Sequence, residues 1–337
     1  MPETTTMIRT RAFARAALVG NPSDGYYGKT LSFVLRNFCA RVTLYESPRI
    51  RILPQASDRL EFQDVGDLLE DVERHGYYGG VRLIKATIKK LHGHLQSQGK
   101  SLPARNFTIE YDSDIPVRVG LAGSSAIVTA TLRALLEFFS LEVEKPVLPN
   151  LILSVERDEL GIGAGLQDRV AQVYEGAVFM DFARERMEKD GHGLYEPVPP
   201  AKLPPLFVAY HDRLAEGTEV THNDLRSRWQ RGEPAVHDAM GRWAQIAQKA
   251  RDLIHAGRAD EIRPLVDENF DLRASLIRIS EGNRKLVEAG RRLGAAVNFA
   301  GSGGAVTGTW DGDPQRLLAL ERGYAELGAR LIRPEIA

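Results

Sequence analysis

Residues 116–126, Pro-Val-Arg-Val-Gly-Leu-Ala-Gly-Ser-Ser-Ala, constrain this chain more than any other stretch. Two glycines lead into apolar positions with helical spacing, which predicts a helix from about Ser124 to Phe139. The first turn of a helix leaves backbone N–H groups unpaired and carries positive partial charge, so it suits phosphate. Gly120 and Gly123 let the backbone approach an anion closely. The Ser124 and Ser125 hydroxyls can bond phosphate or ligate Mg²⁺. A serine N-cap after a glycine turn, with no ligand, would use the same residues. The segment by itself leaves both readings open.

The rest of the chain narrows the class. Its 337 residues suit two domains, or one large domain with two lobes. A hydrophobic content of 43% supports a large core without disulfides, which excludes disordered and disulfide-scaffold classes. Lys and Arg number 44 against 45 Asp and Glu, so no bulk charge favours nucleic acid or an anionic membrane. Cys39 has no pairing partner, reads as a small buried hydrophobe, and fits a reducing compartment. No apolar run is long enough for a membrane helix, and the first ten residues, expected to be a mobile tail, lack a signal core. A cytoplasmic location is expected.

Thr30–Tyr45 reads as a strand, Arg49–Leu53 as the strand paired with it, and Phe107–Tyr111 as another. Asp67–His75, Gly80–His94, Leu148–Leu160 and Leu166–Tyr174 read as helices. Strands follow at Ala177–Phe182 and Leu206–Tyr210, around a proline-rich crossing at 197–206. Residues 222–294 are helical in pattern, and strands at Val297–Phe299, Ala305–Trp310 and Ala329–Ile332 surround a helix near Pro314–Leu327. This order predicts an α+β protein of two joined halves. Gly28-Lys29-Thr30 ends like a Walker loop, but Ser23 stands where its first glycine belongs and a strand follows. The glycines of 161–165 lack dinucleotide spacing and sit between helices. His92 and His94 point to different helix faces and predict no zinc site.

The 116–126 segment resembles the phosphate loop of the GHMP kinase superfamily, with one extra residue in Gly-Leu-Ala-Gly-Ser-Ser-Ala. Its wording is similar to the glucuronokinase branch. Residues 12–24 align with the superfamily's first motif, with Arg15 in the basic position and Asp24 in the late acidic one. Asn21-Pro22 replaces Glu-His there, as in glucuronokinases. Ala300–Ala305 occupies the place of the third motif, a glycine loop between strands. Residues 161–182 and 223–229 resemble the same branch.

The resemblance implies a two-lobed GHMP kinase fold, with a ribosomal-protein-S5-like N-terminal lobe at 1–180 and a ferredoxin-like helical/β C-terminal lobe at 181–337. It implies ATP and Mg²⁺, and phosphoryl transfer to the anomeric hydroxyl of D-glucuronate. Amides of Gly120, Leu121, Ala122, Gly123, Ser124, Ser125 and Ala126 would hold the phosphates. Asp168 would act as general base, with Arg15 beside it or on the γ-phosphate. Glu156 with Ser125, or else Ser124, would ligate Mg²⁺, with Glu159 the rival carboxylate. Asp24, Asn21, Tyr27, Gly301, Ser302 and Gly303 would meet the sugar. A uronic acid needs a cationic partner, and Lys29, Arg226 and Arg228 are candidates. The protein would act as a monomer or homodimer. Another GHMP small-molecule kinase, or a nucleotide-binding protein without catalysis, is the alternative.

Overall fold

The computed structural model describes residues 7–55, 58, 61–75, 79–214 and 218–336. Two sheets organise it. The first has six strands: β1 (Met7–Val19), β2 (Lys29–Glu46), β3 (Arg51–Leu53), β4 (Phe107–Ser113), β5 (Ala177–Asp181) and β6 (Leu194–Val198). Its spine is β2. One edge pairs antiparallel with β1. The other edge is shared, with β5 along Lys29–Phe33 and β4 along Ala40–Glu46.

Three expectations are corrected here. The partners of β2 are β1, β4 and β5, all antiparallel, whereas β3 does not pair with it and lies parallel on β4. Met7–Thr10, expected in a mobile tail, belong to β1, while residues 1–6 lie outside the described residues. The helix expected over Leu148–Leu160 ends at Ser154 and widens into a π-helical turn over Val155–Glu159. The length of β1 escapes a periodicity search because Ala12–Val19 are all buried, so no polar face alternates. Opposite the Phe13–Ala14 step, β2 carries Arg36, Asn37 and Phe38 as an unpaired bulge. The C-terminal segment ties onto it, the Arg36 N–H donating to the Glu335 carbonyl at 2.9 Å.

Eleven helices are described: α1 (Val65–His75), α2 (Gly80–Ser97), α3 (Gly123–Phe138), α4 (Leu148–Ser154), α5 (Gln167–Tyr174), α6 (Arg184–Asp190), α7 (Thr218–Gln230), α8 (Pro234–His255), α9 (Arg263–Leu276), α10 (Glu281–Arg292) and α11 (Pro314–Glu326). The central one is α3. Its sequence is apolar or small nearly all round, so it can sit with neighbours on every side, against β1, β2 and α2. Ala126, Ala130 and Ala134 recur at four-residue steps, and their small side chains let the sheet come close.

The second sheet runs β10 (Arg330–Ile332), β7 (Leu206–Tyr210), β9 (Ala305–Thr309), β8 (Ala296–Phe299), all antiparallel. Alternation along β7 divides two cores. Leu206, Val208 and Tyr210 join the main core, while Phe207 and Ala209 face a second core that includes Leu286, Leu320 and Tyr324 of α10 and α11. The strand is therefore covered on both faces, and one continuous core joins the halves. Trp243 of α8 lies fully inside it, donating to the Asn269 carbonyl at 3.1 Å. Cys39 is buried, which pushes its thiol above the ordinary value. Among the described residues no helix is long and apolar enough to cross a membrane.

Candidate active site at the start of the central helix

The loop before α3 is wound tightly. Arg118, Gly120 and Ala122 have φ of 63°, 75° and 62°. Left-handed backbone costs a non-glycine residue about 1–2 kcal/mol, so it persists where surrounding contacts impose it. Those contacts are visible at Ala122. Its carbonyl accepts from Gln172 Nε2 at 3.0 Å, Ser125 Oγ at 3.1 Å and the Ala126 N–H at 3.1 Å. Gln172 also donates to the Phe13 carbonyl at 3.1 Å, and the Arg15 N–H donates to the Leu121 carbonyl at 3.1 Å. Strand β1 thereby fixes the loop. No side chain caps α3, so its first-turn N–H groups stay available to an anion.

The glycine loop 300–305 packs directly on this turn. A Cβ on Gly301 would lie 2.1 Å from the Gly120 carbonyl oxygen, and one on Gly120 would lie 2.9 Å from the Ser302 nitrogen. Two glycine backbones therefore meet where no side chain fits. Arg273 Nη1 holds the Gly301 carbonyl at 2.7 Å, and Asn283 Oδ1 accepts from the Gly304 N–H at 2.7 Å.

A buried chain of charges crosses the same place. Ser124 Oγ donates to Glu156 Oε1 at 2.7 Å. Arg169 Nη2 donates to the other Glu156 oxygen, and Arg169 Nη1 lies 3.3 Å from Asp168. Arg15 Nη2 reaches Asp168 Oδ1 at 2.5 Å, while its Nη1 donates to the Ala300 carbonyl. Burial opposes the Arg169 charge, but Glu156 and then Asp168 outweigh it and hold the guanidinium above its ordinary value. Next to this chain is Asp24, which accepts from the Gln167 N–H and from Gln167 Nε2, both at 3.1 Å. Burial, and then the charge of Asp168, push its carboxyl up to about 6.

The structure thus brings together Arg15, Asp24, Glu156, Asp168, the 120–126 loop and the glycine loop from distant parts of the chain. Several expectations change. Arg15, expected beside Asp168, is buried there at only 4% exposed. The serine beside Glu156 is Ser124, because the Ser125 hydroxyl turns back to Ala122 and is wholly buried. Glu159 is committed to Lys89 at 2.5 Å on the surface. Asn21 is 1% exposed, and its amide is spent within the protein. It donates to the Phe299 carbonyl at 3.1 Å and accepts from Asn298 at 2.9 Å and Asn269 at 3.3 Å. It braces the loop from below and does not face the cleft. Tyr27 is exposed under the Arg184 guanidinium, 4.4 Å from its ring centre, and Tyr26 lies edge-on to Trp229.

Gln167, Arg169 and Gln172 are missed by motif reading. All three are buried polar residues of α5, whose other buried positions are apolar. Two glutamines and an arginine inside an eight-residue buried helix are a sequence signal for a polar network, but only once burial is known. A wider hollow lined by Asp260, Glu261, Asp267, Glu268 and Asp271 contains none of the residues above. Among the described residues no group of three or more His, Cys, Asp or Glu side chains is arranged to hold a metal by itself.

Comparison with known proteins bears on the family and the fold. Residues 82–176 match the model described as GHMP kinases N terminal domain. The chain is 39% identical to Glucuronokinase 1 of Arabidopsis thaliana, across 99% of this chain and 94% of that protein. It is 41% identical to Probable glucuronokinase 2 of the same plant, across 92% and 86%. Among solved structures, the phosphomevalonate kinase of Streptococcus pneumoniae in complex with phosphomevalonate and AMPPNP superposes with a TM-score of 0.75 at 18% identity. That match covers 98% of this chain and 100% of the other, and at this identity it shows a shared fold.

Proposed function

The chain belongs to the GHMP kinase family, and from that premise we propose that it transfers the γ-phosphoryl group of ATP to the anomeric hydroxyl of D-glucuronate. The observation that carries the reading is the Arg15–Asp168 pair, set between the start of α3 and the glycine loop. The first-turn amides of α3 and the backbone of Gly120–Ala126 are the anion seat for the phosphate chain. The backbone of Gly301, Ser302 and Gly303 closes over it.

Phosphoryl transfer has little covalent work for the protein beyond positioning, charge neutralisation and taking the acceptor's proton. Asp168 faces the acceptor and takes the proton of its hydroxyl. The oxygen–phosphorus bond forms as the bond to the β-phosphate oxygen breaks, and ADP leaves. Arg15 and Arg169 hold the Asp168 carboxylate from two sides and fix its orientation. Asp24 bonds a sugar hydroxyl from the neighbouring wall. A hydroxyl and a carboxylate 2.7 Å apart at the helix start are an all-oxygen pair of the kind Mg²⁺ prefers, so the donor set fits this ion. Glu156 and Ser124 would hold Mg²⁺, which supplies neutralisation of charge on the phosphate oxygens. The nucleotide lobe, read from the sequence as 1–180, is taken to run to the crossing after β6, since that strand pairs with β5.

The test is a panel of glucuronate, galacturonate, galactose and glucose with an ADP readout. Glucuronate should be turned over far faster than the rest. A neutral sugar working where glucuronate fails overturns the substrate while keeping the kinase reading.

A further inference from the structure

We propose that Arg226, on α7, is the residue that recognises the substrate's carboxylate; this deepens the glucuronate reading and rests on it. A hexuronate brings one anion into a cleft that already contains Asp24, Asp168 and Glu156 against Arg15 and Arg169. Three carboxylates facing two guanidiniums leave no spare cation for a fourth. A neutral sugar needs none, so selectivity for a uronate requires a further positive group.

Three cations lie near enough in sequence pattern to serve, and their partners separate them. Lys29 Nζ is held by Asp181 at 3.0 Å and Gln248 at 2.7 Å. Arg228 donates through two nitrogens to Glu233 at 2.9 and 2.7 Å, reaches Asp224 at 3.4 Å and caps the Leu276 carbonyl at 2.7 Å. Both are fully occupied in holding elements together. Arg226 is half-buried and makes no hydrogen bond or ion pair among the described residues. It lines a narrow cleft with Asp24, Tyr26, Gly163, Ala164 and Gly165. The opposite wall is small: a Cβ on Gly165 would fall 1.9 Å from Asp24 Oδ2. Asp24 therefore stands in the same cleft as Arg226, close enough to Asp168 to feel its charge.

The arrangement places a planar two-pronged donor in the same cleft as Asp24, whose carboxyl feels the charge of the proton-accepting Asp168. A pyranuronate carries its carboxylate and its anomeric hydroxyl on opposite sides of the ring oxygen, so both ends can be met at once. A guanidinium meets a carboxylate through two parallel hydrogen bonds, which an ammonium cannot reproduce. Arg226 acts on substrate choice and touches no reacting atom.

The experiment compares glucuronate with D-glucuronamide, its uncharged counterpart, in the wild type, Arg226→Gln and Arg226→Lys. Wild type should prefer glucuronate. R226Q should lose on the order of 10²-fold in kcat/KM for glucuronate, mostly through KM, with glucuronamide turnover nearly unchanged. R226K should fall between them. A variant that loses both substrates equally, or that keeps the wild-type preference for the carboxylate, overturns the assignment and leaves the glucuronate reading standing. Wild type that ignores glucuronate while phosphorylating a neutral sugar overturns both.

Discussion

Replacing Asp24 by Asn should stabilise the ligand-free protein at neutral pH. The Asp24 carboxyl is 7% exposed, and burial followed by the charge of Asp168 moves it from 3.8 to about 6. A folded pKa raised above the unfolded one means that the folded chain binds this proton more tightly. The favourable contribution is present below about pH 4 and is lost as pH rises through 6. Once the group is ionised, the folded state carries a cost of about 3 kcal/mol, from about 1.4 kcal/mol per pH unit. Asn has the same shape without the charge. Its oxygen can keep the Gln167 N–H, and turning the Gln167 amide restores the second hydrogen bond, with the Ser32 hydroxyl then accepting in place of donating. Urea or thermal denaturation of both proteins from pH 4 to pH 8 provides the measurement. The variant's advantage should be near zero at pH 4 and grow to as much as ~3 kcal/mol above pH 7, or ~4 °C in Tm for a chain of this size. An advantage independent of pH, or none at pH 8, would refute the argument that the carboxylate is strained by burial. Sugar turnover should fall in the same variant, separating stability from function.

The other expectations concern the reaction and the loop. Asp168→Asn should cut kcat by on the order of 10²-fold or more, while nucleotide affinity measured by calorimetry stays close to wild type; near-normal turnover removes Asp168 from the proton-accepting role. Ser124→Ala should raise the Mg²⁺ concentration needed for half-maximal rate by about tenfold, and Ser125→Ala should not, because the Ser125 hydroxyl bonds Ala122 and not Glu156. Equal responses would refute the assignment of the metal hydroxyl to Ser124 alone. Gly301→Ala should weaken nucleotide binding and lower Tm, since its Cβ would sit 2.1 Å from the Gly120 carbonyl and push the two loops apart; a folded variant with wild-type ATP affinity would show that the close approach is dispensable.

What was legible in the sequence was local. The 120–126 loop and the helix after it, the glycine loop 300–305 between two strands, and most helices follow from spacing within a few residues, where backbone geometry is decided. What the tertiary structure decided depends on partners far along the chain. Ser124 and Ser125 are neighbours about 100° apart on a helix, so little more than a quarter turn of rotation settles which one meets Glu156, and that rotation is set by packing of α3 on β1 and β2. Asn21 sits beside Asp24 in the first motif, yet Asn269 and Asn298 take up its amide from about 250 positions away or more. Lys29, Arg226 and Arg228 are alike as cations in a string of letters. Asp181, Gln248 and Glu233 occupy two of them and leave the third beside Asp24. Burial settles charge as well: a sheet and two helices remove the water around Arg15, Arg169 and Glu156 and oblige them to pair.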